Sequence, residues 1–70
     1  MIDTARLRGI IAERKMSQAE IARYLGITQK TFYSKMARGI FDSNEMYQMK
    51  DLLNISNEDA CNIFFAHDVT

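Results

Sequence analysis

Proline is absent from this 70-residue chain, glycine occurs three times, and cysteine and histidine occur once each. With no proline, and with Leu, Ile, Met, Ala, Glu, Lys and Arg frequent, the composition contains little that interrupts helices, so an all-α fold is expected. One cysteine, Cys61, excludes an internal disulfide and suits a reducing cytoplasm. One histidine, His67, beside a lone Asp68, is too little for a catalytic triad or a metal site. There is no glycine-rich phosphate loop and no Cys/His cluster, so neither an enzyme nor a bound cofactor is expected. No apolar run approaches a membrane span, and the amino terminus has no signal-peptide pattern.

What is present is enough for one domain over residues 1–70. Its size is near the lower limit for a core that stands without disulfides or metal. An apolar fraction of 47% argues against disorder. The formal net charge is zero, but the charges are segregated. Residues 1–41 carry eight Lys or Arg against three acids, +5, and residues 42–70 carry one Lys against six acids, −5. Such a split points to a polyanion as partner for the basic half, with the acidic half turned away from it.

The most informative segment is 17–39, SQAEIARYLGITQKTFYSKMARG. Ser17 and Glu20 have capping-box spacing and open a helix, helix 2, with Met16 placed to staple onto Ile21. Ile21 and Leu25 make its apolar stripe, and Ala22 supplies the small side chain that two steeply crossing helices need. Gly26 provides the left-handed residue of a short turn, Ile27 plugs the core, and Thr28 caps helix 3, which Gly39 ends. On helix 3, Phe32 and Met36 share the inner face with the stem of Lys35 at its margin, while Lys30, Tyr33, Ser34 and Ala37 face away. Gln29 lies at the rim of the first turn. Two helices so arranged make a helix-turn-helix, which places its second helix in the major groove of double-stranded DNA. A glutamine amide there can bond adenine N6 and N7, and a lysine can reach guanine O6 and N7. Tyr33 and Ser34 suit phosphate or a thymine methyl, and Arg38 a phosphate or the helix dipole.

These residues resemble the helix-turn-helix of the lambda-repressor-like superfamily, and QAEIARYLGITQKTF is especially similar to repressors of lambdoid phages. The resemblance implies a compact five-helix DNA-binding domain. It also implies that Gln18 bonds a phosphate and braces Gln29, which reads adenine, with Lys30 at a neighbouring base-reading position. Ala22, Gly26 and Ile27 match the family's small residue, turn glycine and aliphatic. Two positions depart: Phe32 is bulkier than the usual valine or isoleucine, and Lys35 stands where an apolar residue is common, with Met36 taking over that packing. The DNA-binding set is thus Gln18, Thr28, Gln29, Lys30, Tyr33, Ser34 and Arg38.

Three further helices are expected around the motif. Helix 1 runs from about Thr4 to Lys15 with Asp3 as cap and Leu7, Ile10 and Ile11 inside, leaving Arg6, Arg8, Arg14 and Lys15 solvated. Phe41 anchors the loop after Gly39. Helix 4 runs from about Asn44 to Leu53, packed by Met46, Met49, Leu52 and Leu53, with Tyr47 at the edge. Helix 5 covers 56–67, opened by Ser56 and Asp59 as a capping-box variant; Glu58 and Asp59 suit its dipole. It carries two apolar stripes. One (Ala60, Ile63, Phe64) closes the core, and the other (Cys61, Phe65, Val69) is left over for a homodimer contact. Helix-turn-helix dimers read half-sites about 34 Å apart. The expected function is therefore a dimeric transcriptional regulator, a phage or mobile-element repressor on a near-palindromic operator. The alternative is a protein-interaction module, an antitoxin or anti-repressor using the acidic, apolar C-terminal half.

Overall fold

A computed structural model describes residues 2–65, and these form five helices with no strand among them. They are α1 (Thr4–Glu13), α2 (Gln18–Leu25), α3 (Gln29–Arg38), α4 (Ser43–Leu52) and α5 (Asn57–Phe64). Each starts on a side chain that accepts a backbone N–H three residues on, satisfying an amide the helix leaves unpaired. Asp3 accepts from Arg6, Ser17 from Glu20, Thr28 from Thr31, Asp42 from Glu45 and Ser56 from Asp59. At Ser17 and Asp42 the carboxylate of the third helical residue bonds back to the cap N–H, completing a capping box.

The first four helices also end alike. One residue in the left-handed region, Lys15 (φ 58°), Gly26 (75°), Gly39 (69°) or Asn54 (52°), reverses the chain. The next residue, Met16, Ile27, Ile40 or Ile55, donates its N–H back to Ile11, Ala22, Lys35 or Lys50. This is the Schellman closure, with an apolar residue at its final position. Between α1 and α2, α2 and α3, and α4 and α5, the connection runs left-handed residue, apolar residue, N-cap; it is these three residues alone between α2 and α3, and the other two add the C-cap Arg14 or Leu53.

Three expected boundaries shift in the structure. α1 stops at Glu13 rather than Lys15, because Lys15 is the left-handed residue itself. α4 spans Ser43–Leu52 rather than Asn44–Leu53, because Asp42 is its cap. α5 ends at Phe64, with Phe65 as its C-cap; Ala66 and His67, also assigned to that helix, lie outside the described residues. At its start only Ser56 bonds across the expected capping-box pair.

The core gathers one face of every helix. Leu7, Ile21, Phe32, Met49, Leu53 and Ile63 are its largest fully enclosed side chains. Ala22 is buried at the α2–α3 crossing, and the bulk of Phe32 is met by Phe41, ring centroids 5.6 Å apart. Met16 and Ile21 both join this cluster, as a staple requires. The start of the chain is threaded through the fold: the Ile2 N–H donates to the Gly39 carbonyl and the Asp3 N–H to that of Ile63. Arg14 is exposed as expected, and it also donates from Nε to the Leu53 carbonyl at 2.7 Å, tying α1 to the C-terminal end of α4. That end carries partial negative charge and unpaired carbonyls, so a guanidinium suits it.

Candidate nucleic-acid interface

α2 and α3 are joined by the turn Gly26–Ile27–Thr28, and α3 is held from within by Phe32 and Met36. Its sequence, QKTFYSKMAR, contains no acid. The arc opposite Phe32 carries Lys30, Tyr33, Ser34 and Ala37, all exposed, with Tyr33 half accessible. Gln29 and Arg38 are exposed at the two ends of the helix. Among the described residues, no side-chain hydrogen bond or ion pair occupies Gln29, Lys30, Tyr33, Ser34 or Arg38. The fold thus puts five of the seven expected contact residues on one helix surface with their polar groups uncommitted.

The remaining two differ. Thr28 is exposed, but its hydroxyl accepts from the Thr31 N–H at 3.1 Å and donates to Thr31 Oγ1 at 2.9 Å, so it is engaged in the cap. Gln18, the first residue of α2, is half-buried and makes no side-chain hydrogen bond among the described residues. Two neighbours on α2 escaped the sequence reading. Arg23 and Tyr24 are exposed in its last turn, Tyr24 half accessible, and Arg23 is a further unpaired cation on the basic half. Their outward position follows from the wheel of α2, whose core stripe is Ile21, Ala22 and Leu25.

Lys35 explains how α3 is held at its lower edge. Its ammonium lies 2.9 and 2.8 Å from the two carboxylate oxygens of Glu45, which is 6% exposed and also accepts from the Asp42 N–H. The polar residue in an apolar-looking position therefore anchors α3 to the first turn of α4. Its positive charge is consumed there and is not part of the outward surface. Sequence reading missed this pair because Glu45 lies ten residues away across a loop, with no spacing rule to connect them.

The two apolar stripes of α5 differ in exposure where they are described. Ala60, Ile63 and Phe64 are buried, while Cys61 and Phe65 are exposed; Val69, the third expected dimer contact, lies outside the described residues. Cys61 and Phe65 do not stand alone. With Tyr47 and Met46 of α4 they border a groove of about 350 Å³ between α4 and α5. Tyr47, expected at the edge, is 70% exposed. Among the described residues, no cluster of three His, Cys, Asp or Glu side chains could hold a metal, and no helix is long and apolar enough to cross a membrane.

No protein-family model, curated protein or solved structure matches the chain.

Proposed function

We propose that the chain is a sequence-specific, double-stranded DNA-binding transcriptional regulator with a lambda-repressor-like helix-turn-helix formed by α2 and α3. The observation that carries this reading is the outward face of α3, exposed, free of acids and without a side-chain hydrogen bond among the described residues, on a helix clamped by Phe32, Met36 and the Lys35–Glu45 pair. A helix surface so arranged is about as wide as the major groove admits. Gln29 bonds adenine through its amide, and Lys30 reaches a guanine edge or a phosphate. Tyr33, Ser34, Arg38 and Gln18 grip the backbone and fix the register, with Thr28 at the margin. The segregated charge supports the same reading, since eight of the nine Lys and Arg fall in residues 1–41, which include α2 and α3, and six of the nine acids fall in residues 42–70. Bound as a dimer on a near-palindromic operator, the protein would regulate by occluding a promoter.

Gln29→Ala tests the pose. Measured on duplexes selected from a random pool, it should cost about 1–3 kcal/mol and relax preference at a single base position. A uniform loss on all sequences would move Gln29 to the backbone, and failure of the wild-type chain to select any duplex would overturn the reading. The groove between α4 and α5 favours a second reading, a module that binds a protein partner through its acidic, apolar half, and the two are compatible in one chain.

A further inference from the structure

We infer that the groove between α4 and α5 is a binding site for a small amphiphilic carboxylate, whose anionic head pairs with Lys50 and whose apolar body lies between the two helices. No residue of α3 lines the groove, so such a ligand binds whether or not the protein reads DNA. At about 350 Å³ the groove falls at the small end of the roughly 300–1,000 Å³ range of ligand sites. Its wall is apolar for most of its length, with Met46 and Tyr47 from α4 and Ala60, Cys61, Phe64 and Phe65 from α5. The core claims Met49, Leu53 and Ile63 from these helices, and Ala60, whose side chain is one methyl group, leaves room beside its longer neighbours.

Charge sets the class of ligand. Lys50 is the one charged side chain that lines the groove. It is half-buried, and it makes no ion pair or side-chain hydrogen bond among the described residues. Its place in the last turn of α4 suits the helix dipole, which accounts for a cation there and not for the recess beside it. Asn57 opens α5, so it and Lys50 both lie next to the connection between the helices, while Met46, Tyr47, Cys61 and Phe65 lie farther along. An anionic head on an apolar body has the same order. Ser43, which opens α4, adds a hydroxyl at the other end. Asp51, Glu58 and Asp59 are close in sequence, but they are exposed and none of them lines the groove. Salt screens exposed charges over about 8–10 Å, whereas Lys50 stands at the wall, so the lysine decides the sign.

Titration of the full chain with decanoate, decanol and decylammonium, each below the concentration at which it self-associates, tests the site through amide chemical shifts. Decanoate should bind saturably with a Kd of about 0.1–1 mM, as so small an apolar contact allows, and should shift residues of α4 and α5. Decanol should bind about two- to five-fold more weakly, the scale of one partly exposed ion pair, and decylammonium more weakly still. Lys50→Met keeps the apolar stem and should bring decanoate to the level of decanol. Lys50→Glu should make decylammonium the preferred probe, with helicity unchanged in both variants. Cys61 gives an independent readout, since it lines the groove: decanoate should slow its alkylation by iodoacetamide in proportion to occupancy. Equal binding of the three probes, or a wild-type preference for decylammonium, would overturn the proposal. Shifts spread through the core, which mark detergent action, would do the same. So would an absence of saturable binding, which leaves the groove to a second copy or a partner protein.

Discussion

Replacing Lys35 by methionine keeps the packing of its stem and removes only the ammonium. The loss falls on Glu45, a carboxylate in a residue 6% exposed, which is left with the single N–H of Asp42 as donor. Breaking a buried pair from one side costs about 3–5 kcal/mol, because the remaining charge is desolvated and unpaired. The Lys35 side chain is 30% exposed, so water already screens part of the attraction and reaches the site. A discounted cost of about 1.5–2.5 kcal/mol follows. In a domain of this size that lowers the thermal midpoint by roughly 10 °C or more. Chemical denaturation of Lys35→Met, Glu45→Gln and the double variant measures the coupling. Glutamine keeps an oxygen for the Asp42 N–H and carries no charge, so the double variant should be more stable than the sum of the single losses by about 1.5 kcal/mol. Additive losses, or a Lys35→Met penalty under about 0.5 kcal/mol, would show that the pair does not anchor α3.

The helix closures and the α1–α4 tie give two further tests. Lys15→Gly should stabilise the domain by about 0.5–1 kcal/mol, and Gly26→Ala should destabilise it by about 1 kcal/mol, because both occupy left-handed positions that a β-carbon disfavours. No atom comes within 4 Å of a β-carbon placed at Gly26, so its penalty reads the backbone alone; denaturation shifts of opposite sign, the one at Gly26 at least as large, are the expected signature. Arg14→Met should cost about 1 kcal/mol by removing the donor to the Leu53 carbonyl, and hydrogen exchange should show the end of α4 opening more readily. An unchanged exchange rate there would contradict that role.

Much of this fold was legible because its devices are local. Ser17–Glu20, Gly26, Thr28 and Gly39 each act within a turn, and their residue types announce them. The ends of α1 and α4 were harder to read for the same physical reason. There the left-handed position is filled by Lys15, whose type gives no sign of it, and by Asn54, whose type tolerates it but signals it less strongly than glycine, and the compensating hydrogen bonds to Ile11 and Lys50 lie in the backbone. In retrospect the triplets KMS, GIT and NIS share a pattern, an apolar residue between a left-handed residue and an N-cap. Asp42–Glu45 had the same spacing as Ser17–Glu20 and was overlooked as part of a loop. At the candidate interface the sequence separated the inner from the outer face of α3 through its 3.6-residue period. Long-range partners were beyond it: Lys35 with Glu45, Arg14 with Leu53, and Tyr47 beside Phe65 all depend on how the helices stack.

The outward face of α3 as a reader of DNA is tested most directly by selecting bound duplexes from a random pool and titrating the winners against salt. Enrichment of a two-fold-related pair of half-sites, with affinity falling steeply as salt rises and the selected bases changing when Gln29 or Lys30 is substituted, is the expected result. A pool that emerges unenriched, or a selected sequence indifferent to substitutions on α3, would contradict it.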